Sequence, residues 1–367
     1  MSSLKVIISG GGTGGHIFPA VAIANAIKAK RPQAEFLFVG AQDKMEMEKV
    51  PAAGYKIEGL WISGIQRSLS VQNLLFPFKL ISSLSKAKRI IKEFKPDVAV
   101  GTGGFASGPT LKAATSLKIP AVIQEQNSFP GITNKWLAKD VKKICVAYDG
   151  MEQFFPKDKI LFTGNPVRKE MVQLEGKRDK AFQKFGLDKE KPVVLVVGGS
   201  LGARSINQAL MPQLQKLVDA GIQLIWQTGK FTFQEASDAA KPFADKGIFV
   251  SDFIYEMDLA YAAADVVISR AGAIAVSELC LVKKPAILVP FPFAAEDHQT
   301  KNAMALVNHS AAIHIADKDA AANLVAETIA LVQDKTKQEQ LSKNMAELGV
   351  PDSADIIADE VIKLAEK

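Results

Sequence analysis

At 367 residues, with 48% hydrophobic and 23% charged side chains, the chain has the composition of a globular protein with room for two domains, each burying its own core. That composition excludes disorder, and the absence of any apolar run of roughly 18 residues excludes an integral membrane span. The net charge of +6 sits almost wholly in the window 66–95, where Arg67, Lys79, Lys86, Lys88, Arg89, Lys92 and Lys95 face a single acid, Glu93.

The chain enters a strand pattern directly, with no charged leader or cleavage site, so a cytoplasmic protein is expected. In the first half, strands are predicted over 5–9, 35–39, 98–101, 121–124 and 143–146. The first ends in Gly10, Gly11, Gly12, Thr13, Gly14, Gly15 and His16 before a helical pattern begins. Next comes the basic window, with Leu74, Leu75, Phe76, Phe78, Leu80 and Ile81 interleaved with Lys79. Apolar residues flanked by lysines have the composition of a segment resting on an anionic membrane surface, or of a helix with a solvated charged face. Nucleic acid is disfavoured, because no aromatic-studded basic groove accompanies the charge. Residues 162–168, with Gly164 and an Asn165–Pro166 pair, read as a hinge. In the second half, strands are predicted over 193–197, 223–227, 248–251, 266–269 and 286–289, and a helical tail follows Pro351. Strands alternating with helices predict two doubly wound α/β domains with parallel sheets. Cys145 and Cys280 sit far apart in apolar runs and read as buried free thiols.

The chemistry concentrates at strand ends. Two strand–glycine–helix units, at 6–16 and 193–204, open the two halves. Such turns let a ligand approach the backbone, and the helix start beyond presents unpaired N–H groups to an anion. Residues 10–15 fit G-x-G-x-x-G, but the acid that a dinucleotide site wants at the end of the second strand is missing, since Asp43 falls late. His16, at a helix start beside glycine turns, is placed to act as acid or base on a hydroxyl. A third turn, 101–109, carries four glycines in eight residues and offers bare backbone to a diphosphate. Glu125 and Asn127 at the next strand end, Glu278 five residues into a helix, and the polar run 296–299 all fall on the ligand-binding side of a parallel sheet. No spacing of His, Cys or acidic residues reads as a zinc site, and no nucleophile elbow, Walker lysine or kinase signature is present.

In order along the chain, GGTGGHIFP at 11–19, GTGGFASGP at 101–109, EQN at 125–127, TNKWLAK at 133–139, GNPVR at 164–168, GGSLGAR at 198–204 and SRAGA…SE at 269–278 resemble the MurG family. These are bacterial undecaprenyl-diphospho-muramoylpentapeptide β-N-acetylglucosaminyltransferases of glycosyltransferase family 28. The resemblance implies a B-type glycosyltransferase fold, with an acceptor and membrane-associating domain over 1–164, a UDP-GlcNAc domain over 165–350, and the 351–367 helix returning to the first. It implies inverting transfer of GlcNAc from UDP-GlcNAc to the C4 hydroxyl of the muramoyl sugar of lipid I, giving lipid II. The implied place is the cytoplasmic face of the inner membrane, peripherally bound, with no cofactor and no metal.

Carried over by motif, Arg168 and Ser200 would contact the donor diphosphate and Ile254 the uracil. Ala273, Ile274, Ala275, Val276, Ser277 and Glu278 would line the nucleotide, with Glu278 on the ribose and Gln299 on the sugar hydroxyls. Thr13, Gly14, Gly15 and Asn127 would reach the donor sugar, while Gly11, Gly12, Gly103 and Gly104 would seat the acceptor diphosphate. His16 is the first choice of base and Glu125 the second. Leu74, Leu75, Phe76, Phe78, Lys79, Lys86, Lys88 and Arg89 would meet the membrane. Leu201 departs from the glutamine usual in the family, and Ala275 from a common threonine. A UDP-GlcNAc 2-epimerase would share the two-domain plan but leave the basic apolar window unexplained. A diacylglycerol glycosyltransferase is disfavoured by EQN and GTGGFASGP, and a non-enzymatic nucleotide-binding module by the polar residues in both halves.

Overall fold

The computed structural model describes residues 3–64, 75–199 and 201–366, so Arg67, Leu74 and Ser200 lie outside the described residues. The chain divides into two compact units, Met1–Val167 with Pro351–Lys367, and Arg168–Val350.

The first unit is built on β1 (Lys5–Gly10), β2 (Glu35–Ala41), β3 (Lys56–Leu60), β4 (Val98–Gly103), β5 (Ala121–Glu125), β6 (Lys143–Val146) and β7 (Ile160–Phe162). They pair in parallel, in the order β3-β2-β1-β4-β5-β6-β7. Successive residues of a strand point to opposite faces, and here both faces are covered. Val6 and Ile8 pack with Ile17, Ile23 and Ile27 of α1 (Gly14–Lys30). Ile7 and Ala99 pack on the other side with Ile90 and Ile91, and with Leu111. Between β2 and β3 runs α2 (Glu46–Ala52); Ile90 and Ile91 belong to α3 (Phe76–Phe94) and Leu111 to α4 (Ser107–Ser116), with α5 (Ile132–Leu137) beyond. The C-terminal helix Ser353–Ala365 lays Ile357, Ala358, Val361 and Ile362 into the α1 cluster.

The second unit repeats the plan with β8 (Val193–Val197), β9 (Gln223–Gln227), β10 (Ile248–Ser251), β11 (Val266–Ser269), β12 (Ala286–Leu288) and β13 (Ile313–His314), all parallel, in the order β10-β9-β8-β11-β12-β13. The expected doubly wound α/β class therefore holds for both units. The expected strands are present with ends displaced by up to two residues, and three were missed: β3, β7 and β13. All three lie at sheet edges, where hydrogen bonding to one neighbour is enough, and β7 and β13 are only three and two residues long. Cys145 and Cys280 are free and buried, and burial pushes both thiols up to about 12.

One buried charge organises the first glycine turn. Glu46, at the start of α2, is fully buried, and its carboxylate accepts from the Ala41 N–H (3.0 Å) and the Gly12 N–H (2.8 Å). A side chain at Gly11 would meet Glu46 Oε1 at 2.1 Å and one at Gly40 would meet Glu46 Cγ at 2.5 Å, so those glycines make the room this carboxylate occupies. Removing it leaves two backbone donors without their acceptor. Glu46→Leu is expected to destabilise the fold by about 2–4 kcal/mol in urea unfolding, and a loss below 1 kcal/mol would refute this role.

Candidate functional site

In the first unit, the ends of β1 and β4 are in backbone contact. The Gly11 N–H donates to the Gly103 carbonyl at 3.3 Å, and a Cβ at Gly104 would lie 2.3 Å from the Gly11 carbonyl oxygen. Gly104 also has φ +86°, so both conformation and space demand glycine there. Just beyond, α1 begins at Gly14 after Thr13, which stands at the N-cap without a side-chain bond. The first turn of α1 holds no acid and its last turn holds Lys28 and Lys30, the charge order that favours an anion at the helix start.

His16 projects from that first turn. The Thr102 hydroxyl donates to its carbonyl at 2.7 Å, tying α1 to the end of β4, and its Nδ1 lies 3.0 Å from Gln126 Oε1. The ring is half-buried and lies against Gly103, where a Cβ would come within 2.9 Å of it. The imidazole thus lies at the carboxyl end of the sheet against Gly103, on the helix start that follows the 10–15 glycine turn.

Glu125 is placed differently from a base. It is 1% exposed, and its two oxygens accept from the Asn127 N–H (3.0 Å), Asn127 Nδ2 (3.2 Å), the Gly131 N–H (3.1 Å) and Asn134 Nδ2 (2.8 Å). Those bonds hold the turn 127–134, which sets where Asn127 stands. Sequence reasoning gave Gln126 no role of its own. Buried between Glu125 and Asn127, it bonds the histidine, and only the direction of its amide reveals this.

The second unit contains a pocket of about 980 Å³ lined by Val197, Gly198, Gly199, Leu201, Gly202 and Ala203, by Ala275 and Gln299, and by Phe231, Phe291 and Phe293. That volume suits a nucleotide-sized ligand. Gly202, with φ +80°, would put a Cβ 2.0 Å from the Thr228 carbonyl, which fixes the turn against the end of β9. Gln227 bridges that turn to the next loop, donating to the Gly199 carbonyl (3.0 Å) and accepting from the Ile254 N–H (2.9 Å). Ile254 is buried with its N–H engaged by Gln227.

Gln299 accepts from the Phe291 N–H at 2.9 Å, which directs its amide nitrogen away from that bond. Arg270 binds the Val289 and Pro290 carbonyls, Asp317 and Ser205, clamping the pocket wall; Ser205 and Asp317 were not singled out from the sequence. On the helix Ala273–Val282, Ala275 lines the pocket while Val276 packs into the core. Ala273 is largely buried, Ile274 is half-buried, and the Ser277 hydroxyl donates to the Ala273 carbonyl. Glu278 accepts from the Tyr261 hydroxyl at 3.1 Å. Burial raises its pKa, opposed by the charge of Arg168 and by the tyrosine bond.

The described part of the basic apolar segment begins at Leu75. On α3, Phe76 and Leu80 pack on the core, whereas Leu75, Phe78 and Ile81 are exposed, the last two 66% so. Lys79 donates to the Ser63 hydroxyl and lies over Trp61, and Lys86 donates to the Gly59 carbonyl. Lys88 and Arg89 are exposed, Arg89 3.8 Å from Glu93. Among the described residues no group of three or more His, Cys, Asp or Glu side chains could hold a metal ion, and no helix is long and apolar enough to cross a membrane.

Comparison with known proteins agrees with this architecture. Family models described as the glycosyltransferase family 28 N-terminal domain and C-terminal domain match residues 6–146 and 193–357. Full-length relatives include proteins of Parabacteroides distasonis (54% identical, 100% of both chains covered) and Phocaeicola vulgatus (55% identical, 100% of this chain and 97% of the relative). Both are named UDP-N-acetylglucosamine–N-acetylmuramyl-(pentapeptide) pyrophosphoryl-undecaprenol N-acetylglucosamine transferase. The crystal structure of Acinetobacter baumannii MurG superposes with a TM-score of 0.78 at 25% identity, covering 99% of this chain and 100% of that one. A UDP-GlcNAc 2-epimerase from Neisseria meningitidis superposes at 0.67 with 14% identity, covering 99% and 100%, which is a likeness of fold alone. With both domain models matched in order and more than half the residues shared with full-length relatives, the chain belongs to the MurG family of glycosyltransferase family 28.

Proposed function

We propose that the chain transfers GlcNAc from UDP-GlcNAc to the C4 hydroxyl of the muramoyl sugar of lipid I, forming lipid II, with inversion at the anomeric carbon. The observation that carries this reading is an imidazole held among glycine turns in one unit, in a chain whose other unit has a nucleotide-sized pocket. An inverting displacement asks for a base on the acceptor hydroxyl and for stabilisation of charge building on the leaving diphosphate. A positioned base contributes roughly 10²–10⁴-fold in rate. His16 supplies it; Glu125, its carboxylate committed to the 127–134 turn, sets the loop that carries Asn127.

In this reading the second unit holds the donor. Arg168 and the amides of the 198–203 turn meet the diphosphate, Glu278 takes the ribose diol, the Ile254 carbonyl meets the uracil, and Gln299 offers its amide nitrogen to the sugar. The glycines at 11–12 and 103–104 seat the acceptor diphosphate. The chain works peripherally at the cytoplasmic face of the membrane. Leu75, Phe78 and Ile81 enter the lipid interface at the leading end of α3, while Lys88 and Arg89, about 15 Å along the helix, meet anionic headgroups. Apolar and basic groups are thus separated along the helix rather than around it.

His16→Ala is expected to lower transfer to a short-chain lipid I analogue by about 10²–10⁴-fold with UDP binding retained. Full turnover by this variant would refute the base, and epimerisation of UDP-GlcNAc without transfer would refute the reaction. The raised pKa of Glu278 means that its carboxylate is lost, as pH falls, sooner than an ordinary one. UDP-GlcNAc affinity is therefore expected to weaken from a pH above the usual carboxylate range. Glu278→Gln should flatten that dependence and bind about tenfold more weakly near pH 7. For stability the sign is opposite: an acid with a raised folded-state pKa loses its contribution as pH rises through that pKa, so the neutral glutamine should fold at least as well. The double variant Phe78→Ser, Ile81→Ser should lose binding to vesicles containing anionic lipid while retaining UDP-GlcNAc affinity, and undiminished vesicle binding would refute the membrane face.

A further inference from the structure

The side chain beside His16 is oriented by several bonds at once. Gln126 is 1% exposed, and its Nε2 donates to the Thr102 carbonyl at 2.7 Å and the Gln124 carbonyl at 3.1 Å. Backbone carbonyls only accept, so the amide nitrogen must face them. It also meets the Gln124 side-chain oxygen, whose own amide nitrogen is committed to Asn165 Oδ1 at 2.9 Å. Asn165 closes the network by donating Nδ2 to the Gln126 carbonyl at 3.0 Å. Reversing the Gln126 amide would set its oxygen against two carbonyls, so Oε1 is the atom that faces the His16 ring.

We infer that Gln126 is a positioning residue that fixes the His16 tautomer for catalysis. An amide oxygen can only accept, so at 3.0 Å it requires a proton on His16 Nδ1. The lone pair then resides on Nε2, the nitrogen that would take the acceptor hydroxyl proton. A histidine in water favours the opposite arrangement, with the proton on Nε2, and so presents a donor where a base is needed. A neutral amide sets the tautomer without adding negative charge. A carboxylate in its place would hold the ring as imidazolium and would repel the diphosphates that the proposed reaction brings to these glycine turns. As the ring takes up the proton, the Nδ1–H bond to Gln126 persists, so the residue orients both states.

This inference rests on His16 being the base, and it is tested on the full chain labelled with 15N-histidine. Long-range 1H–15N spectra report which ring nitrogen carries hydrogen, and the His16 signals are assigned by their loss in His16→Ala from a set shared with His298, His309 and His314. The expected result is a wild-type ring protonated on Nδ1. In Gln126→Met, which offers no comparable acceptor, the ring should move toward Nε2–H and kcat should fall about 10- to 100-fold with KM for UDP-GlcNAc unchanged. Gln126→Glu places a carboxylate against the ring and should shift the spectrum to hydrogen on both nitrogens, the imidazolium pattern, which a general loss of packing would not produce. A wild-type ring protonated on Nε2, or a Gln126→Met ring with the wild-type pattern, overturns the inference. Full turnover by His16→Ala, with the Nδ1–H spectrum of wild type intact, overturns the base assignment instead, so the two failures are distinguishable.

Discussion

The architecture of the first unit depends on how closely β1 and β4 approach at their carboxyl ends. With the Gly11 N–H bonded to the Gly103 carbonyl and no space for a side chain at Gly104, two strands of the sheet end in bare backbone. A surface of this kind can contact a bulky anion through amides, but it supplies no proton acceptor. In the proposed reaction the proton acceptor comes from the next element, where the first turn of α1 carries the His16 imidazole. That turn is held in turn by the Thr102 hydroxyl on the His16 carbonyl, which ties the helix start to the β4 end.

Buried polar groups hold this arrangement where apolar packing does not reach. Glu46 binds Gly12 from beneath, Glu125 gathers the 127–134 turn, and Gln126 orients the histidine. Each is almost fully buried, and each makes at least two hydrogen bonds to backbone groups, the condition under which a buried polar side chain does not cost stability. The second unit uses the same device with different residues. Gln227 ties Gly199 to Ile254, and Arg270 ties Ser205 and Asp317 to the ends of β11 and β12. In both units the shape of these loops is therefore set by side chains that need not touch a ligand.

This division explains what was legible in the sequence. Central strands bury both faces and read as unbroken apolar runs, so β1, β8 and β11 were plain; at the edges β3 carries Lys56 and Glu58 among its apolar residues, and β7 and β13 are too short to show a pattern. The glycine turns and His16 were legible because helix starts and glycines are local signals. Glu46 was not: it lies 34 residues from Gly12 inside Met45-Glu46-Met47-Glu48-Lys49, which reads as a charged surface helix, and only the fold brings it under the turn. For α3 the window was correctly seen as apolar and basic, but the register decides which residues face outward. Phe76 and Leu80 turn into the core and Lys79 and Lys86 bond the protein, leaving Phe78, Ile81, Lys88 and Arg89 outside.

Glu125 and Gln126 show why position along a strand does not assign chemistry. Both stand at the carboxyl end of β5, and the carboxylate is by residue type the better candidate for proton transfer. The fold reverses that ranking through geometry alone. The stronger base of the pair is consumed by four backbone and amide donors, while the residue with no acid–base chemistry of its own bonds the only histidine at the glycine turns. A neutral amide in that place suits a site whose substrates would both be anionic, because it orients the ring without adding negative charge beside the glycine turns.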